Sequence, residues 1–311
     1  MYPIRFEPIY QDYVWGGDRI ASTFHRDVKK PRIAESWEMS DREDAMSVVM
    51  NGTLKGKTLH QLVVEMGEEL LGVGQKWDRF PLLLKVIDAK ENLSIQVHPD
   101  EFTAKEHGGE PKTETWVILE DGTVYAGLKK GVDEKQLRAA IKSNKAEDLI
   151  EKIDVKKGDA IFIPGGRVHA ICGGTLLYEV QQNSNTTYRL YDWGRTGRDL
   201  HLKEGFAAIH WHDLGHAKVE PRRISSDLHH QLVSLITSPF FVVERIDIFK
   251  NFHLASIPKT FQIFFCLQGE GQIIVDSYKE PFHPGMTYLV PASSKSIDFE
   301  GKCQALRVRL P

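Results

Sequence analysis

Two polar side chains in a short apolar run, LSIQVHPD at residues 93–100, are of types that can bind a metal ion. Side chains alternate between the two faces of a strand, so Gln96 and His98 would share one face, and Ile95 and Val97 the other. If the polar face looks into the protein interior, both groups need a partner there, because burying an unsatisfied polar group is costly. A metal ion would be such a partner, whereas a surface strand would leave the same face to water.

A second segment, residues 158–169, places a histidine after a tight turn. Gly158 would open a strand, the Pro-Gly-Gly sequence at 164–166 would form the turn, and the return strand would aim His169 inward. This spacing of glycine, proline and histidine resembles the second sequence motif of the cupin family. We therefore expect His169 to be a ligand inside a β-barrel.

The first cupin motif normally supplies two histidines one residue apart and a glutamate a few residues later. Gln96 and His98 stand in that place here, and the near glutamate is displaced. Glu114, in KTETW, is the candidate for the missing carboxylate. Inward residues of neighbouring barrel strands reach the same level, so these distant segments could converge.

The elements that must position these residues are mostly short strands, which favours a barrel or sandwich. Three hairpins are predicted: 116–128 turning at Asp121-Gly122, 158–166 with 175–182, and 261–276 turning at Gly269-Glu270-Gly271. Apolar residues at helical spacing predict two amphipathic helices, at 57–72 and 133–153.

An internal repeat suggests two copies of one β module, because residues 156–171 resemble residues 282–297. The second copy carries Lys295 or a neighbour where the first carries His169, so only the first would keep a ligand. The polar stretch 212–231 is interpreted as a linker, and a solvated connector is favoured over a metal site for its clustered histidines. The predicted fold is mainly β, with two cupin-type β-barrel (jelly-roll) modules and a small α-helical insertion. The predicted domains are a catalytic cupin domain at 1–220, which includes both helical segments, and a second cupin-like domain at 221–311.

Composition is that of an ordinary soluble globular chain, and 311 residues can form two domains. The net charge of −3 offers no general attraction to nucleic acid or an anionic membrane. No membrane span or signal peptide is evident, so a cytoplasmic location is expected. Cys172, Cys266 and Cys303 are widely separated and are interpreted as reduced, buried side chains.

Six motifs together resemble type I mannose-6-phosphate isomerase of the shorter bacterial kind: VWGG, AESWEMS, LSIQVHPD, KTETW, IPGGRVHAI and NTTYRLYDWGR. The resemblance runs from the beginning of the sequence to about residue 212 in the order of the family. It implies one Zn²⁺ per chain bound by Gln96, His98, Glu114 and His169, a donor set with room for substrate. It also implies interconversion of mannose 6-phosphate and fructose 6-phosphate through a cis-enediol.

The resemblance further implies catalytic residues. Lys112, two residues before Glu114, would be the base, and Glu35 and Glu179 would move protons between O1 and O2. Lys85 lies in the strongly apolar LLLKVI and is a further active-site candidate, although a lysine extending to solvent from an edge strand is the alternative.

Arg189 matches the essential arginine of the family, and could stabilise an enediolate or bind phosphate. Arg195 is its competitor for that role. The tryptophans in the motifs could line a sugar cleft, although core packing is favoured for each; they are Trp15, Trp37, Trp116 and Trp193.

Two other classes of protein remain open at this stage. A non-catalytic sugar-binding or regulatory cupin would need no combination of base, acid and Lewis acid. A cupin oxygenase would be expected to carry more histidine around iron. The expected partner is a small sugar phosphate, with no nucleic acid or membrane partner, and the chain is expected to be a monomer or a weak oligomer.

Overall fold

The computed structural model describes residues 1–30 and 32–311, and its regular structure is mainly β. The mainly β prediction is confirmed, whereas closure of the sheets into barrels stays a prediction. Within the described residues, no helix is both long enough and apolar enough to span a lipid bilayer.

Two compact units make up the chain, and neither is continuous in sequence. Unit 1 consists of Met1–Ile9, Trp37–Leu84 and Glu220–Pro311, and unit 2 of Tyr10–Ser36 and Lys85–Val219. This division differs from the predicted domains 1–220 and 221–311. Two segments from the N-terminal part of the chain, Met1–Ile9 and Trp37–Leu84, thus belong to the same compact unit as the C-terminal segment Glu220–Pro311.

The strands are mostly three to eight residues long, with two much longer ones near the C-terminus. They are β1 (Ile9–Gln11), β2 (Glu35–Met39), β3 (Asp41–Arg42), β4 (Ala45–Met46), β5 (Leu82–Ala89), β6 (Ile95–Val97), β7 (Glu114–Glu120), β8 (Gly122–Leu128), β9 (Ile150–Val155), β10 (Ala160–Ile163), β11 (His169–Ile171), β12 (Thr175–Gln182), β13 (Tyr188–Tyr191), β14 (Lys218–Val219), β15 (Arg222–Ser226), β16 (His230–Thr237), β17 (Val242–Ile248), β18 (Phe252–Leu254), β19 (Gln262–Val275), β20 (Tyr278–Phe282), β21 (Thr287–Val290) and β22 (Ile297–Arg309).

The helices are short and lie between strands. They are α1 (Arg19–Thr23), α2 (Leu59–Met66), α3 (Glu68–Leu71), α4 (Glu101–His107), α5 (Glu134–Lys142) and α6 (Leu202–Ala208), with a 3₁₀ turn at Ala146–Leu149. The predicted helix at 57–72 is in fact two helices, because Gly67 between them has a positive φ of 50°. The predicted helix at 133–153 ends at Lys142, and its last residues form strand β9.

Unit 2 contains strands of two sheets that enclose a common core. One sheet has the order β1-β2-β5-β12-β7-β10-β14, and the other has the order β13-β6-β11-β8-β9. Trp116 and Ile161 from the first sheet and Val124 and Ile171 from the second belong to one buried cluster. The core therefore lies between the sheets, as in a sandwich.

Two of the predicted hairpins are wrong, although their strands exist. β7 pairs with β10 and β12, while β8 pairs with β9 and β11, so the chain crosses from one sheet to the other at Asp121. That carboxylate accepts hydrogen bonds from the Lys157 backbone and the Lys156 ammonium, which fixes the crossing. β10 and β12 lie on opposite sides of β7 rather than side by side.

The large sheet of unit 1 has the order β15-β16-β17-β22-β19-β20, with β18 also paired to β22 and β21 to β19, while β3 and β4 form a separate two-stranded sheet. The predicted hairpin at 261–276 is wrong, because β19 continues through Gly269 and Gly271. A Cβ on Gly269 would lie 2.3 Å from the carbonyl oxygen of Lys302 on the neighbouring strand. The glycines thus permit close approach of two backbones rather than a turn.

The segment predicted as a linker, 212–231, carries regular structure. β14 pairs with β10 in unit 2, and β15 pairs with β16 in unit 1. His230 stacks on Phe252 and its Nδ1 lies 3.1 Å from Asp227. The three cysteines are buried and free, as expected from their spacing.

Candidate metal centre and active site

Two histidines and a glutamate converge inside unit 2. His98 directly follows β6, Glu114 begins β7 and His169 begins β11. Nε2 of each imidazole lies 3.4 Å from an oxygen of Glu114, and one donor atom from each residue lies within 4.8 Å of the others. All three side chains are buried. This is the separation expected of groups that surround a single cation.

Gln96 joins this cluster because of strand register. It lies opposite His169 on one neighbouring strand and opposite Arg189 on the other. Its amide nitrogen is 3.2 Å from Nε2 of His169, and rotating the amide by half a turn would present the oxygen to the same space. The shared face of Gln96 and His98 thus points towards the interior rather than towards water.

Backbone carbonyls fix the orientation of both imidazoles. Nδ1 of His98 donates to the carbonyl of Thr186, and Nδ1 of His169 donates to that of Arg167, each at 2.8 Å. Each Nε2 therefore keeps its lone pair for a ligand. Nε2 of His98 is buried and has no hydrogen-bond partner among the described residues. Burial lowers the pKa of His98 to about 3, so the ring stays neutral, as metal ligation requires.

A row of alternating charges extends from Glu114. Lys112 contacts Glu114 at 2.9 Å and Glu179 at 3.9 Å. Lys85 contacts Glu179 at 3.6 Å and Glu35 at 3.4 Å. Lys85 is only 4% exposed, which excludes the alternative of a lysine reaching solvent from an edge strand. Sequence reasoning named all five residues, and the structure brings them together.

Burial and neighbouring charges set the ionisation of this row. Burial raises the pKa of Glu179 to about 7, with a further contribution from Glu114, against the lowering effect of Lys112. Burial also raises the pKa of Glu114, but Lys112, His98 and His169 together outweigh burial and hold the pKa well below its usual range. One carboxyl is therefore firmly ionised, and the other can gain or lose a proton near neutral pH.

Of the four tryptophans considered for a sugar cleft, Trp15 lines the cavity. Trp116 is fully buried, and its indole N–H donates to Glu179 at 3.2 Å. Trp37 belongs to an apolar cluster of unit 1, and Trp193 donates to the backbone of Leu93. Core packing, favoured from sequence, holds for Trp37 and Trp116, and Trp116 in addition orients a carboxylate.

A cavity of about 340 Å³ opens beside the row, and Gln96, Lys112, Glu114 and Glu179 are among the residues that line it. Arg189 also lines it, whereas Arg195 is not among the described residues that do. Sequence reasoning missed Arg198, which lies in the same wall. The only available signal was its position in the segment that follows Arg189, since no spacing rule identifies it.

The fold and the site define a class: a β protein of cupin type with a buried His-Glu-His cluster able to hold a divalent cation. Comparison with known proteins narrows this class. The sequence model for phosphomannose isomerase type I, catalytic domain, matches residues 4–115, and that for mannose-6-phosphate isomerase, cupin domain, matches residues 232–310.

Relatives match over nearly the whole chain. Mannose-6-phosphate isomerase ManA of Bacillus subtilis is 33% identical, over 98% of this chain and 98% of the relative. Mannose-6-phosphate isomerase of Streptococcus mutans is 33% identical, over 94% and 93%. A crystal structure of the mannose 6-phosphate isomerase from Bacillus subtilis, 30% identical, superposes with a TM-score of 0.91 over 99% of both chains. The chain belongs to the type I phosphomannose isomerase family, as its sequence motifs indicated.

Proposed function

We propose that the protein interconverts mannose 6-phosphate and fructose 6-phosphate, with one zinc ion held by Gln96, His98, Glu114 and His169. The relatives named as mannose-6-phosphate isomerases support the reaction. The observation that carries the proposal is the direct contact between the His-Glu-His cluster and a buried row of lysines and glutamates. A pure binding protein has no need of ionisable groups so closely coupled.

The donor set fits a catalytic zinc site. Two imidazole nitrogens, a carboxylate and an amide oxygen suit Zn²⁺, and the adjoining cavity leaves room for substrate oxygens. Zinc bound there would act as a Lewis acid that polarises the carbonyl and hydroxyl oxygens at C1 and C2. The carbonyls of Thr186 and Arg167 would keep both ligand rings in the required orientation.

The row of alternating charges that extends from Glu114 is assigned to proton transfer. The reaction moves one proton between C1 and C2 through a cis-enediol, so it needs a base at carbon and a shuttle between the two oxygens. Lys112, held between Glu114 and Glu179, is assigned as the base for the carbon-bound proton. Glu179, whose pKa is about 7, can exchange a proton between O1 and O2. Lys85 and Glu35 continue the row behind Glu179 and tune its charge.

Arg189 supplies permanent positive charge in the cavity wall. Its Nη1 donates to the carbonyl of Asp199 at 2.8 Å, which anchors the side chain without neutralising it. A guanidinium so placed can stabilise the negative charge of an enediolate or of a phosphoryl group.

A coupled assay with mannose 6-phosphate, combined with elemental analysis of the purified protein, tests the proposal. We expect about one zinc per chain, turnover that is lost after chelation, and recovery when zinc is added back. Zinc-bound protein that binds the sugar phosphate without converting it would instead identify a binding or regulatory cupin. Bound iron with oxygen uptake would identify an oxygenase.

A further inference from the structure

Two arginines meet at one buried carboxylate next to the cavity. Asp192 is 3% exposed, and its Oδ1 accepts a hydrogen bond from Nη2 of Arg195 at 2.8 Å. Its Oδ2 accepts from Nε of Arg198 at 2.9 Å, and Oδ1 also contacts Nη2 of Arg198. A carboxylate that holds a guanidinium at two points fixes its plane as well as its position.

The two arginines differ in what else they contact. Nη2 of Arg195 also donates to the carbonyl of Asn92 at 2.7 Å, so this side chain ties two loops together. Arg198 lines the cavity, and its hydrogen bonds to other described residues use Nε and Nη2 rather than Nη1. Arg198 therefore presents an N–H group at the cavity wall, whereas Nη1 of Arg195 lies 3.6 Å from the Glu91 carboxylate and Arg195 is not among the described residues that line the cavity.

The backbone between Asp192 and Arg198 is shaped for this convergence. Trp193, Gly194 and Gly197 all have positive φ values, of 56°, 73° and 92°. Such values reverse the chain direction within a few residues. The reversal brings Arg195 and Arg198 back to the same carboxylate.

Charge distinguishes this wall of the cavity from the catalytic row. Lys85 and Lys112 are each in contact with two carboxylates and carry little unbalanced charge. Arg189, Arg195 and Arg198 have Asp192 as a buried counter-ion. The neighbouring carboxylates of Asp199 and Glu91 are exposed to solvent, which screens their charge. Guanidinium groups that are only partly balanced by buried carboxylates suit a tetrahedral dianion, which they bind through paired hydrogen bonds.

We propose that Arg198 acts with Arg189 to bind the phosphoryl group of the substrate, and that Asp192 is a positioning residue that aims Arg198 into the cavity. The identity of the substrate rests on the proposed function, whereas binding of a phosphate dianion does not. Arg198 would thus help to select phosphorylated over free sugars.

Steady-state kinetics of Arg198→Met tests the direct contact. We expect KM for mannose 6-phosphate to rise at least about tenfold, because a charge-assisted hydrogen bond is lost. The inhibition constant of inorganic phosphate should rise in parallel, while kcat stays within about threefold. Arg195→Met is the matched control, since it contacts the same carboxylate outside the cavity wall, and its KM should change much less. Equal effects of the two substitutions, or a loss of kcat alone, would overturn the direct contact.

A double-mutant cycle tests the role of Asp192. Asp192→Asn should raise KM in the wild type but have little further effect in the Arg198→Met background, because both changes remove the same interaction. Additive effects would show that Asp192 does not act through Arg198. Thermal unfolding of each variant separates lost binding from lost folding. Arg198→Lys is a further control, because lysine keeps the positive charge but lacks the paired N–H donors of a guanidinium.

Calorimetric titration with inorganic phosphate keeps this inference distinct from the proposed function. The wild-type chain should bind phosphate and Arg198→Met should bind it at least about tenfold more weakly, whether or not mannose 6-phosphate is turned over. Phosphate binding without turnover would contradict the isomerase proposal alone. Equal phosphate affinity of wild type and Arg198→Met would contradict the subsite alone.

Discussion

The two units use the same local backbone arrangement around very different interiors. In unit 2, Pro164 directly follows strand β10, and the return strand β11 begins with His169. In unit 1, Pro291 directly follows the equivalent strand β21, and the return strand β22 begins with Ile297. The sheet core of unit 1 is filled with aromatic and aliphatic side chains, and the buried Glu244 and Arg307 of this unit contact each other. Unit 2 instead buries several ionisable groups beside a cavity. The aromatic members in unit 1 include Phe264, Phe282, Tyr288 and Phe299.

This difference separates what the scaffold needs from what the chemistry needs. A packed aromatic interior stabilises a sheet by removing apolar surface from water. Burying several charges costs free energy unless they are paired or bind a ligand, so unit 2 gives up stability to form its site. At the turn itself, His169 is fully buried, while Lys295 near the equivalent place is exposed. The site is thus a property of the side chains that one unit carries on a shared backbone plan.

Removing the histidine should produce the largest contrast. His169→Ala should lose bound zinc and reduce turnover to below about one-thousandth of wild type, because Lewis-acid stabilisation contributes several kcal/mol. Lys295→Ala, near the matching place in unit 1, should change neither. Metal content by elemental analysis and rate by the coupled assay measure both. Retained zinc and turnover in His169→Ala would remove this residue from the site.

Substitution of the proposed base, Lys112, should have the second-largest effect. Lys112→Met should keep zinc but slow the exchange of the C2 proton with solvent deuterium by about 10²- to 10⁴-fold, the usual contribution of general base catalysis. Exchange can be followed by NMR. The exposed Lys105 in helix α4 supplies a control, since Lys105→Met should exchange at the normal rate. Normal exchange in Lys112→Met would assign the base elsewhere.

The aromatic interior of unit 1 should respond in stability rather than chemistry. Phe299 is fully buried against Phe264 and Phe282, with ring centroids 5.2 and 5.6 Å away. Phe299→Ala should lower the free energy of unfolding by about 3–5 kcal/mol through lost burial and the cavity left behind. Phe249→Ala, at a site that is 42% exposed, should cost less than about 1 kcal/mol.

Zinc content per folded chain separates the two interiors. It should not change in Phe299→Ala, because every proposed ligand belongs to unit 2. Denaturant titration measures the loss of stability, and elemental analysis of the folded fraction measures the metal. A loss of zinc without a loss of stability would contradict this division of roles.

The sequence was sufficient to predict which side chains share a strand face and which charged side chain is buried. Period-two alternation at residues 95–98 indicated that Gln96 and His98 share a face, and the apolar surroundings of Lys85 indicated that its charge is buried. These inferences need only side-chain direction and the cost of burying polar groups.

Local sequence signals could not show which strands pair with each other. Asp121-Gly122 looks the same in a hairpin and in a crossing between two sheets, because only the distant strands that pair with each side distinguish them. Gly269 predicted a turn, but the approach of Lys302, which only the folded sheet reveals, explains it better. Asp192 and Arg198 were missed for a related reason, since their contact depends on backbone reversal at residues 193–197.

The smallest predicted effect concerns the glycine turn that precedes the corresponding strands of the two units. Gly158 and Gly285 open the corresponding strands of the two units with φ values of 90° and 83°. The N–H of each donates to a strand carbonyl, from Gly158 to Ile118 at 2.8 Å and from Gly285 to Cys266 at 2.9 Å. Two interiors of opposite character thus begin with the same turn.

If the turn is a shared scaffold feature, alanine should cost the same in both units. We expect Gly158→Ala and Gly285→Ala each to lower the free energy of unfolding by about 1–2 kcal/mol, because L-residues are strained at positive φ. Lys157→Ala, an exposed position beside Gly158, should change it by no more than about 0.5 kcal/mol. Denaturant titration measures all three. A cost at Gly158 alone would mean that the turn in unit 2 is held in place by the site rather than by the backbone plan.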